Sequence, residues 1–283
     1  MDTRVQPKLH AFLNTLPTSY TKIMKLQIAF TLSLIAATLT LTTASAQAFT
    51  GFAFTTDYSP KPADPQKDIT LESVTIKSTN EKVSHFELVN GAKIITNGTT
   101  LGPGSSDRGD LATGQAHLEK ATSSSVVGSL GNLNLNNIID TEDNLGESVI
   151  DVYFKNAVKR FFFFERGANS DLKVDALDKN GNVVSTHTIT RDLFQGKKGA
   201  NLADYSIDTT EISGAQKMGS YGLELGYKVA GLRLSSNNAM NGPDYKVVAA
   251  KVPEPATIAA LVAVAGVAAL SRRKKNQAAV SAQ

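Results

Sequence analysis

Four consecutive phenylalanines at positions 161–164 constrain the fold of this chain more than any other feature. They stand between Arg160 and Glu165, so a strand through this segment is apolar on both of its faces. Such a strand needs protein packed against both sides, because burying aromatic surface stabilises a fold and exposing it does not. The segment therefore predicts a central strand in a layered β-structure.

Other segments alternate apolar and polar residues with the period of two that is typical of half-buried strands. They are residues 69–76, 149–154, 172–177, 183–189, 221–227 and 245–249. Asn90-Gly91 predicts a hairpin between 84–89 and 93–96, and 178–182 predicts another. In 69–76 the apolar residues change face, which predicts an irregularity near Ser73.

These short strands and Gly/Asn turns predict an all-β domain over 49–250, an antiparallel sandwich of jelly-roll-like type. The Gly/Ser-rich stretch 102–125 is expected to be a long loop, with a short helix near Gln115–Lys120. No fixed-period repeat and no long amphipathic helix is visible in the sequence.

Composition excludes several classes of function. The chain has 283 residues, no cysteine and a net charge of +3. Without cysteine there are no disulfides, thiolate metal sites or cysteine nucleophiles. The region 49–252 carries 24 acidic and 21 basic residues, a net charge of −3, so the positive charge belongs to the ends. The basic pI therefore gives no reason to expect a nucleic-acid partner.

The N-terminal region has the order of a secretory signal peptide. Lys22 and Lys25 precede the uncharged apolar run 26–41, and small residues follow at Ala44, Ala46 and Ala48. Signal peptidase is the expected partner at these alanines. We expect residues 1–48 to be removed, and Met24 to be the true translation start; an amphipathic or buried core helix is the alternative.

The C-terminal region has three parts in sequence. Val252-Pro253-Glu254-Pro255 stays extended, because prolines two residues apart prevent helix and ladder pairing. The apolar run 256–270 is short for a membrane span, which makes it a weak, transient anchor. The basic cluster Arg272, Arg273, Lys274 and Lys275 is expected to stop transfer on the cytoplasmic side.

This three-part order resembles the PEP-CTERM sorting signal of Gram-negative bacteria, over 251–275 with a tail at 276–283. The resemblance implies that an exosortase recognises Pro253, Glu254 and Pro255, cleaves nearby, and passes the protein to the outer surface or extracellular matrix. The tail extends further than is usual in that family. An ordinary C-terminal anchor with a proline-rich stalk is the alternative.

The body also resembles exosortase-dependent surface proteins of cyanobacteria. The resemblance lies in Phe162-Phe163-Phe164-Glu165-Arg166-Gly167 and its continuation to Leu172, with 52–56 and 232–235 fitting the same pattern. It implies surface sorting and carries no established activity, so no catalytic residue is transferred from it.

Glu165 is the one carboxylate that suggests catalysis, with Asp171 as its partner. On a strand, Glu165 and Arg166 point to opposite faces. A strand-end ion pair, or support of the turn at 167–169 by Arg166, is the favoured interpretation, so no catalytic residue is expected.

Metal binding has two weak candidates. Asp178, Asn180 and Asn182 resemble the start of a calcium loop, but Ile189 stands where the bidentate Glu is needed, and a plain hairpin turn is favoured. The acidic cluster 140–144 is expected to be a solvated surface loop. His85, His117 and His187 lack metal-ligand spacing, and no cofactor is expected.

The function expected from the sequence is that of an exported, non-catalytic surface or matrix protein with a structural or adhesive role. One alternative is a carbohydrate-binding module acting on exopolysaccharide or envelope glycan. With no tryptophan, it would rely on Tyr153, Tyr205, Tyr221, Tyr227 and Tyr245. A glycoside-active enzyme with paired carboxylates is the other.

Overall fold

The computed structural model describes residues 48–97, 104–107, 121–141, 146–208 and 214–251. Every strand pair among them is antiparallel, so this part of the chain is all-β with a few short helices, as predicted. The strands are β1 (Thr50–Phe52), β2 (Phe54–Ser59), β3 (Thr70–Ile76), β4 (Lys82–Val83), β5 (Phe86–Glu87), β6 (Val89–Asn97), β7 (Gly104–Asp107), β8 (Ile138–Thr141), β9 (Ser148–Arg166), β10 (Leu172–Leu177), β11 (Val183–Ile189), β12 (Leu202–Ile207), β13 (Gln216–Ser236) and β14 (Tyr245–Ala250). The helices are α1 (Ser123–Leu130) and α2 (Arg191–Gln195), with 3₁₀ turns at Lys197–Gly199 and Asn238–Met240.

The described strands form two sheets. In the larger sheet the order is β11-β10-β13-β9-β14-β8-β7. Four further strands join its members: β1 and β12 pair with β13, β5 with β14, and β6 with β9. The smaller sheet has the order β2-β3-β4.

Two long strands, β9 and β13, form the centre of the larger sheet. They have 19 and 21 residues and pair from Met218↔Arg166 to Ser236↔Ser148. The segments 149–154 and 160–165 were expected as two strands, and the structure joins them into one. A register shift around Val229, opposite Val158, marks the place where the joined strand changes which residues face each side.

The phenylalanine run confirms the predicted central strand. Phe161 and Phe163 pack in a first core with Ile150, Val152 and Leu223, whereas the other two phenylalanines pack on the opposite side of β9. All four side chains are fully buried.

A second core lies between the smaller sheet and the C-terminal half of β9. It contains Phe162, Phe164, Phe54 and Leu71. The Phe162 ring meets the rings of Phe54, Phe52 and Phe86 edge to face, with centroids 5.2, 5.8 and 6.0 Å away.

On the side opposite the first core, only part of the larger sheet is covered by the smaller sheet. Near the start of β9, Ile150 and Val152 face the first core, while the alternate residues Asp151 and Tyr153 belong to neither core. We call this uncovered side of β6, β9, β13, β10 and β11 the polar face; its central members are Lys93, Asp151, Tyr153, Lys173, Asp175, Thr186 and Arg233.

Two local predictions have opposite outcomes. The irregularity expected near Ser73 is confirmed, because the register between β2 and β3 shifts between Asp57↔Ser73 and Tyr58↔Leu71. The hairpin expected at Asn90-Gly91 is wrong, because β6 runs through both residues and pairs with β9, with a register shift between Val89 and Gly91. Pairing along β9 outweighs the local turn preference.

The predicted short helix at 115–120 lies outside the described residues and stays a prediction. The structure shows a helix that was not predicted, α1, which begins at Ser123 inside the predicted loop. Thr122 and Ser125 form a capping box: the Thr122 hydroxyl accepts from Ser125 N–H (3.1 Å), and Ser125 Oγ accepts from Thr122 N–H (2.9 Å). Within the described ranges, no helix is both long and apolar enough to cross a membrane.

Replacing Phe162 by Ala is expected to destabilise the protein by about 3 to 5 kcal/mol, because it removes the ring that meets three others in the second core. Val183→Ala is the matched control: Val183 is 45% exposed, and its truncation is expected to cost less than about 0.5 kcal/mol. Urea unfolding followed by circular dichroism measures both. Equal stabilities for the two variants would contradict burial on both faces of β9.

Candidate functional site

Most of the predicted sorting residues lie outside the described part of the chain. These are Ala44, Ala46, Pro253, Glu254, Pro255, Arg272, Arg273, Lys274 and Lys275. Ala48, the last residue of the predicted cleavage region, is the first described residue and is exposed, whereas Phe49 is buried in the first core. The predictions for both ends remain predictions.

The weak calcium candidate forms a hairpin turn, as the favoured interpretation had it. Asp178 accepts hydrogen bonds from the backbone N–H of Asn180 (2.8 Å) and Asn182 (2.9 Å) and from Asn182 Nδ2 (3.0 Å). The hydrogen bonds from Asn182 lower the pKa of Asp178 more than any other contact does. The carboxylate oxygens thus satisfy the turn, and the described residues contain no group of three or more His, Asp or Glu suited to a metal ion.

The histidines take no part in a shared site within the described residues. His85 is exposed beside Ser84, and the His187 ring packs edge to face against Phe49 with centroids 6.3 Å apart. Burial lowers the pKa of His187. His117 lies outside the described residues.

The two carboxylates considered for catalysis differ in their surroundings, since Glu165 is fully buried and Asp171 is partly exposed. Asp171 accepts from Arg191, through the backbone N–H at 2.7 Å and the guanidinium at 3.1 and 3.3 Å. Burial raises the pKa of Asp171, but the contacts with Arg191 outweigh it and lower the pKa overall. At the end of the strand, Arg166 forms an ion pair with Asp244 at 3.5 Å, a partner that the sequence pattern did not indicate.

Glu165 is buried with a second carboxylate close by. Neither of its oxygens has a hydrogen-bond partner of ordinary geometry. Burial raises the pKa of Glu165 to about 8, opposed in part by the nearby Ser170 hydroxyl. Burial also raises the pKa of Asp244, to about 7, and the neighbouring charge of Glu165 adds to that rise.

The prediction that the acidic cluster 140–144 is a solvated surface loop is wrong at Asp140. This residue lies in β8 and is buried, because β8 pairs with β14 through Tyr245↔Ile139 and carries Asp140 beside Asp244. Thr141 next to it donates from its hydroxyl to the Pro243 carbonyl at 2.6 Å. Residues 142–145 lie outside the described part.

Lys246 is a fully buried cation on β14. Its Nζ donates to the carbonyl oxygens of Ser129 (2.8 Å) and Asn137 (3.1 Å) and to Asn132 Oδ1 (3.3 Å). Ser129 lies in the last turn of α1, where carbonyls lack helical partners and the helix dipole favours a positive charge. Burial lowers the pKa of Lys246 to about 7. These hydrogen bonds from Lys246 therefore connect the C-terminal end of α1 to strand β14 of the larger sheet.

The polar face carries a row of alternating charges across neighbouring strands. Lys93 lies opposite Asp151, Asp151 opposite Arg233, and Arg233 opposite Asp175. Cross-strand neighbours on one face of a sheet interact directly, and opposite charges stabilise the pair. Within this row, the hydrogen bonds from Arg233 to Asp151 join β13 to β9 on the uncovered side.

The carboxylates of this row are enclosed and fully engaged. Arg233 donates to both oxygens of Asp151, Nε at 2.7 Å and a terminal nitrogen at 3.0 Å. Asp175 accepts from the Thr186 hydroxyl at 2.6 Å and pairs with Lys173 Nζ at 3.0 Å. The acidic side chains are only 3–4% exposed, while Arg233 is 28% and Lys173 41% exposed. The face thus presents cationic N–H groups to solvent.

A groove of about 450 Å³ lies at one end of this row, over Arg233 and Asp175. Its lining also includes Lys173, Ser235 and the exposed carboxylate of Glu147. Ile95 and Val183, the two large apolar side chains most exposed among the described residues, lie at its margins. A groove with fixed polar groups and apolar margins has the chemistry of a small-molecule or polymer site.

Of the tyrosines proposed for glycan contact, only Tyr153 lies on the polar face. Tyr205 and Tyr245 are buried in the cores, and Tyr221 and Tyr227 pack against the first core. The Tyr153 hydroxyl lies 3.5 Å from Asp151 Oδ2, and its ring lies close over Gly231, where a Cβ would come within 2.8 Å of it.

Replacing Glu165 by Gln is expected to stabilise the folded chain at pH 8 and to flatten its pH dependence. A folded-state pKa of about 8, against about 4.3 when unfolded, means that the folded state holds a proton which the unfolded state releases. The stability contributed is therefore present below pH 4 and is lost as pH rises to 8, by about a few kcal/mol.

Unfolding free energies of the wild type and Glu165→Gln, measured from pH 5 to pH 8, test this expectation. Glu72→Gln, a change at an exposed position of β3, is the control and is expected to follow the wild type. A Glu165→Gln variant with the same pH slope as the wild type would contradict the raised pKa of the buried Glu165 carboxyl.

Comparisons with known proteins give no indication of the function of this chain. The chain matches no model of a protein family, and no curated protein is significantly similar to it. Any function therefore has to be argued from the polar face, the buried ionisable groups and the two terminal segments.

Proposed function

We propose that this chain is an exported surface or extracellular-matrix protein with a structural or adhesive role and no catalytic activity, delivered by exosortase sorting. One observation carries the proposal: a packed all-β block stands between a signal-peptide pattern and Val252-Pro253-Glu254-Pro255. Signal peptidase and exosortase are its transient partners, and the run 256–270 is its transient anchor.

The positions of the outermost strands support this order of segments. β1 begins at Thr50, just after Ala48, and β14 ends at Ala250. The last backbone hydrogen bond of the block runs from Lys251 N–H to the His85 carbonyl, at 2.9 Å. Removal of both terminal segments would leave every described strand with its pairing.

The architecture also suits a passive block outside the cell. With no cysteine in the chain, stability there has to come from packing and sheet pairing. The smaller sheet packs over the larger one through the second core, and we extend this to a β-sandwich of jelly-roll-like type. Two separate cores supply the apolar burial that such a block needs.

Catalysis by Glu165 is disfavoured by its position. The side chain is fully buried, so a polysaccharide cannot reach it, and Asp171 is engaged by Arg191. A pair of carboxylates flanking a glycosidic bond would have to face a cleft.

Carbohydrate binding is a second candidate function, and the polar face is the observation that favours it. The groove there offers fixed hydrogen-bonding groups next to exposed apolar side chains, as sugar rings require on their polar edges and apolar faces. Exopolysaccharide or envelope glycan is the partner class for this candidate.

Deleting Pro253–Lys275 is expected to abolish surface delivery and to leave the chain folded, because β14 ends before the deleted segment. Deleting only 276–283 is the matched control and should leave delivery unchanged. Protease shaving of intact cells, followed by detection of the protein in each fraction, measures the outcome. Surface delivery of the Pro253–Lys275 deletion at the level of the full chain would refute the sorting proposal.

A further inference from the structure

We propose that two copies of this chain pair edge to edge through β11 and form an antiparallel dimer with one continuous sheet. Along one edge β11 pairs with β10, and along the other it pairs with no strand of the part of the chain that the structure describes. The backbone N–H and C=O groups of a free edge can pair with a strand of another molecule. This interaction surface is independent of the sorting and saccharide proposals.

The sequence of β11 distinguishes it from the other edge strands. Its seven residues, Val183–Ile189, include no charged residue and no proline. Proteins commonly protect a free edge by charged side chains or by keeping the strand very short. The other described strands that pair along one edge only are protected in these ways. Strand β1 has three residues, and β2, β4, β5, β6, β7 and β12 carry the charged residues Asp57, Lys82, Glu87, Lys93, Asp107 and Asp204 respectively.

The part of this edge that can pair regularly is the segment 185–189. The register between β10 and β11 shifts at Val184, which forms a bulge, and the Val184 carbonyl accepts from the Tyr227 hydroxyl at 3.4 Å. At the other end, Thr190 is the N-cap of α2. The five residues between these limits equal a typical strand in length.

The segment is self-complementary about His187. Thr186 and Thr188 stand on either side of this residue, and both are exposed. A two-fold axis at His187 therefore places each threonine opposite the other threonine of the second copy, and threonine pairs across neighbouring strands are favourable. The same patch is used on both molecules, so the pairing closes as a dimer. This symmetry favours a second copy over an unrelated peptide.

The charges next to the edge are complementary in this arrangement. On β10, Asp175 lies opposite Thr186 and Lys173 lies opposite Thr188. Because Thr186 of one copy meets Thr188 of the other, each row of residues across the dimer has Asp175 on one side and Lys173 on the other. Like charges directly opposite one another would destabilise a strand pair, and the two-fold arrangement brings none together within these rows.

The test is the oligomeric state of the full chain, purified in mild detergent and measured by sedimentation velocity over a range of protein concentrations. We expect a monomer–dimer equilibrium. Hydrogen exchange measured by mass spectrometry locates the contact: amides of 183–189 are expected to exchange more slowly in the dimer than in the monomer.

Variants of Thr188 assign the dimer to β11. Thr188→Lys puts a charge on the edge of both copies and is expected to raise the dimer dissociation constant about tenfold or more. Thr188→Glu, which places a carboxylate opposite Lys173, is expected to do the same, whereas Thr188→Val keeps a β-branched side chain and should retain the dimer. Thr55→Lys makes the matched change at an exposed threonine of β2 and should have no effect. Unfolding curves establish that each variant is folded.

Several results would overturn the inference. They are a monomer at every concentration, open-ended polymers in place of a dimer, or a dimer that a folded Thr188→Lys variant retains. A dimer that disappears when 256–270 is deleted, with no slowed exchange in β11, would assign the association to that segment instead and would equally overturn it.

Discussion

The antiparallel pairing of β9 with β13 is the interaction on which the rest of the structure depends. The pair connects the strands that form both cores: β10, β6 and β14 are added at its flanks, and β1 and β12 extend it. Because both halves of β9 place one side in the first core, the chemistry of the other side decides whether each half is covered by a further layer. On that other side, the C-terminal half of β9 carries Phe162 and Phe164 and is covered by the smaller sheet. The N-terminal half carries Asp151 and Tyr153 and stays uncovered.

This division explains why one sheet supports both a stable block and an open polar surface. Apolar side chains on the C-terminal half gain free energy only when another layer covers them. On the N-terminal half, Asp151 is hydrogen-bonded to Arg233. Asp175 is bound by Lys173 and Thr186, so these carboxylates are satisfied without a covering layer. The groove lies on this uncovered side, over Asp175 and Arg233.

Much of the fold could be predicted from the sequence, because the signals were local. The Phe run, the Asp178–Asn182 turn and the change of face near Ser73 each depend on neighbours within a few residues. Asn90-Gly91 failed because its turn preference competes with pairing to β9, a contact that no local pattern reveals.

The site was less accessible to sequence reasoning for the same reason. Arg233 stands between Leu232 and Leu234, and nothing near it in sequence points to Asp151, 82 residues away. Lys246 and Asp244 look like ordinary polar residues at a strand start, and their burial appears only when β8 and α1 pack around them. The alternation of apolar and polar residues indicates which strand faces are polar. Which charged residues lie opposite one another depends on the register between strands, which the alternation does not give.

Mass spectrometry of the mature protein isolated from cells tests the central claim most directly, because it fixes both ends of the chain at once. The account predicts a polypeptide that begins after Ala46 or Ala48 and ends near Pro253–Pro255, with all described strands retained. An untrimmed chain carrying residues 256–283, recovered from the cytosol as the main form, would contradict it.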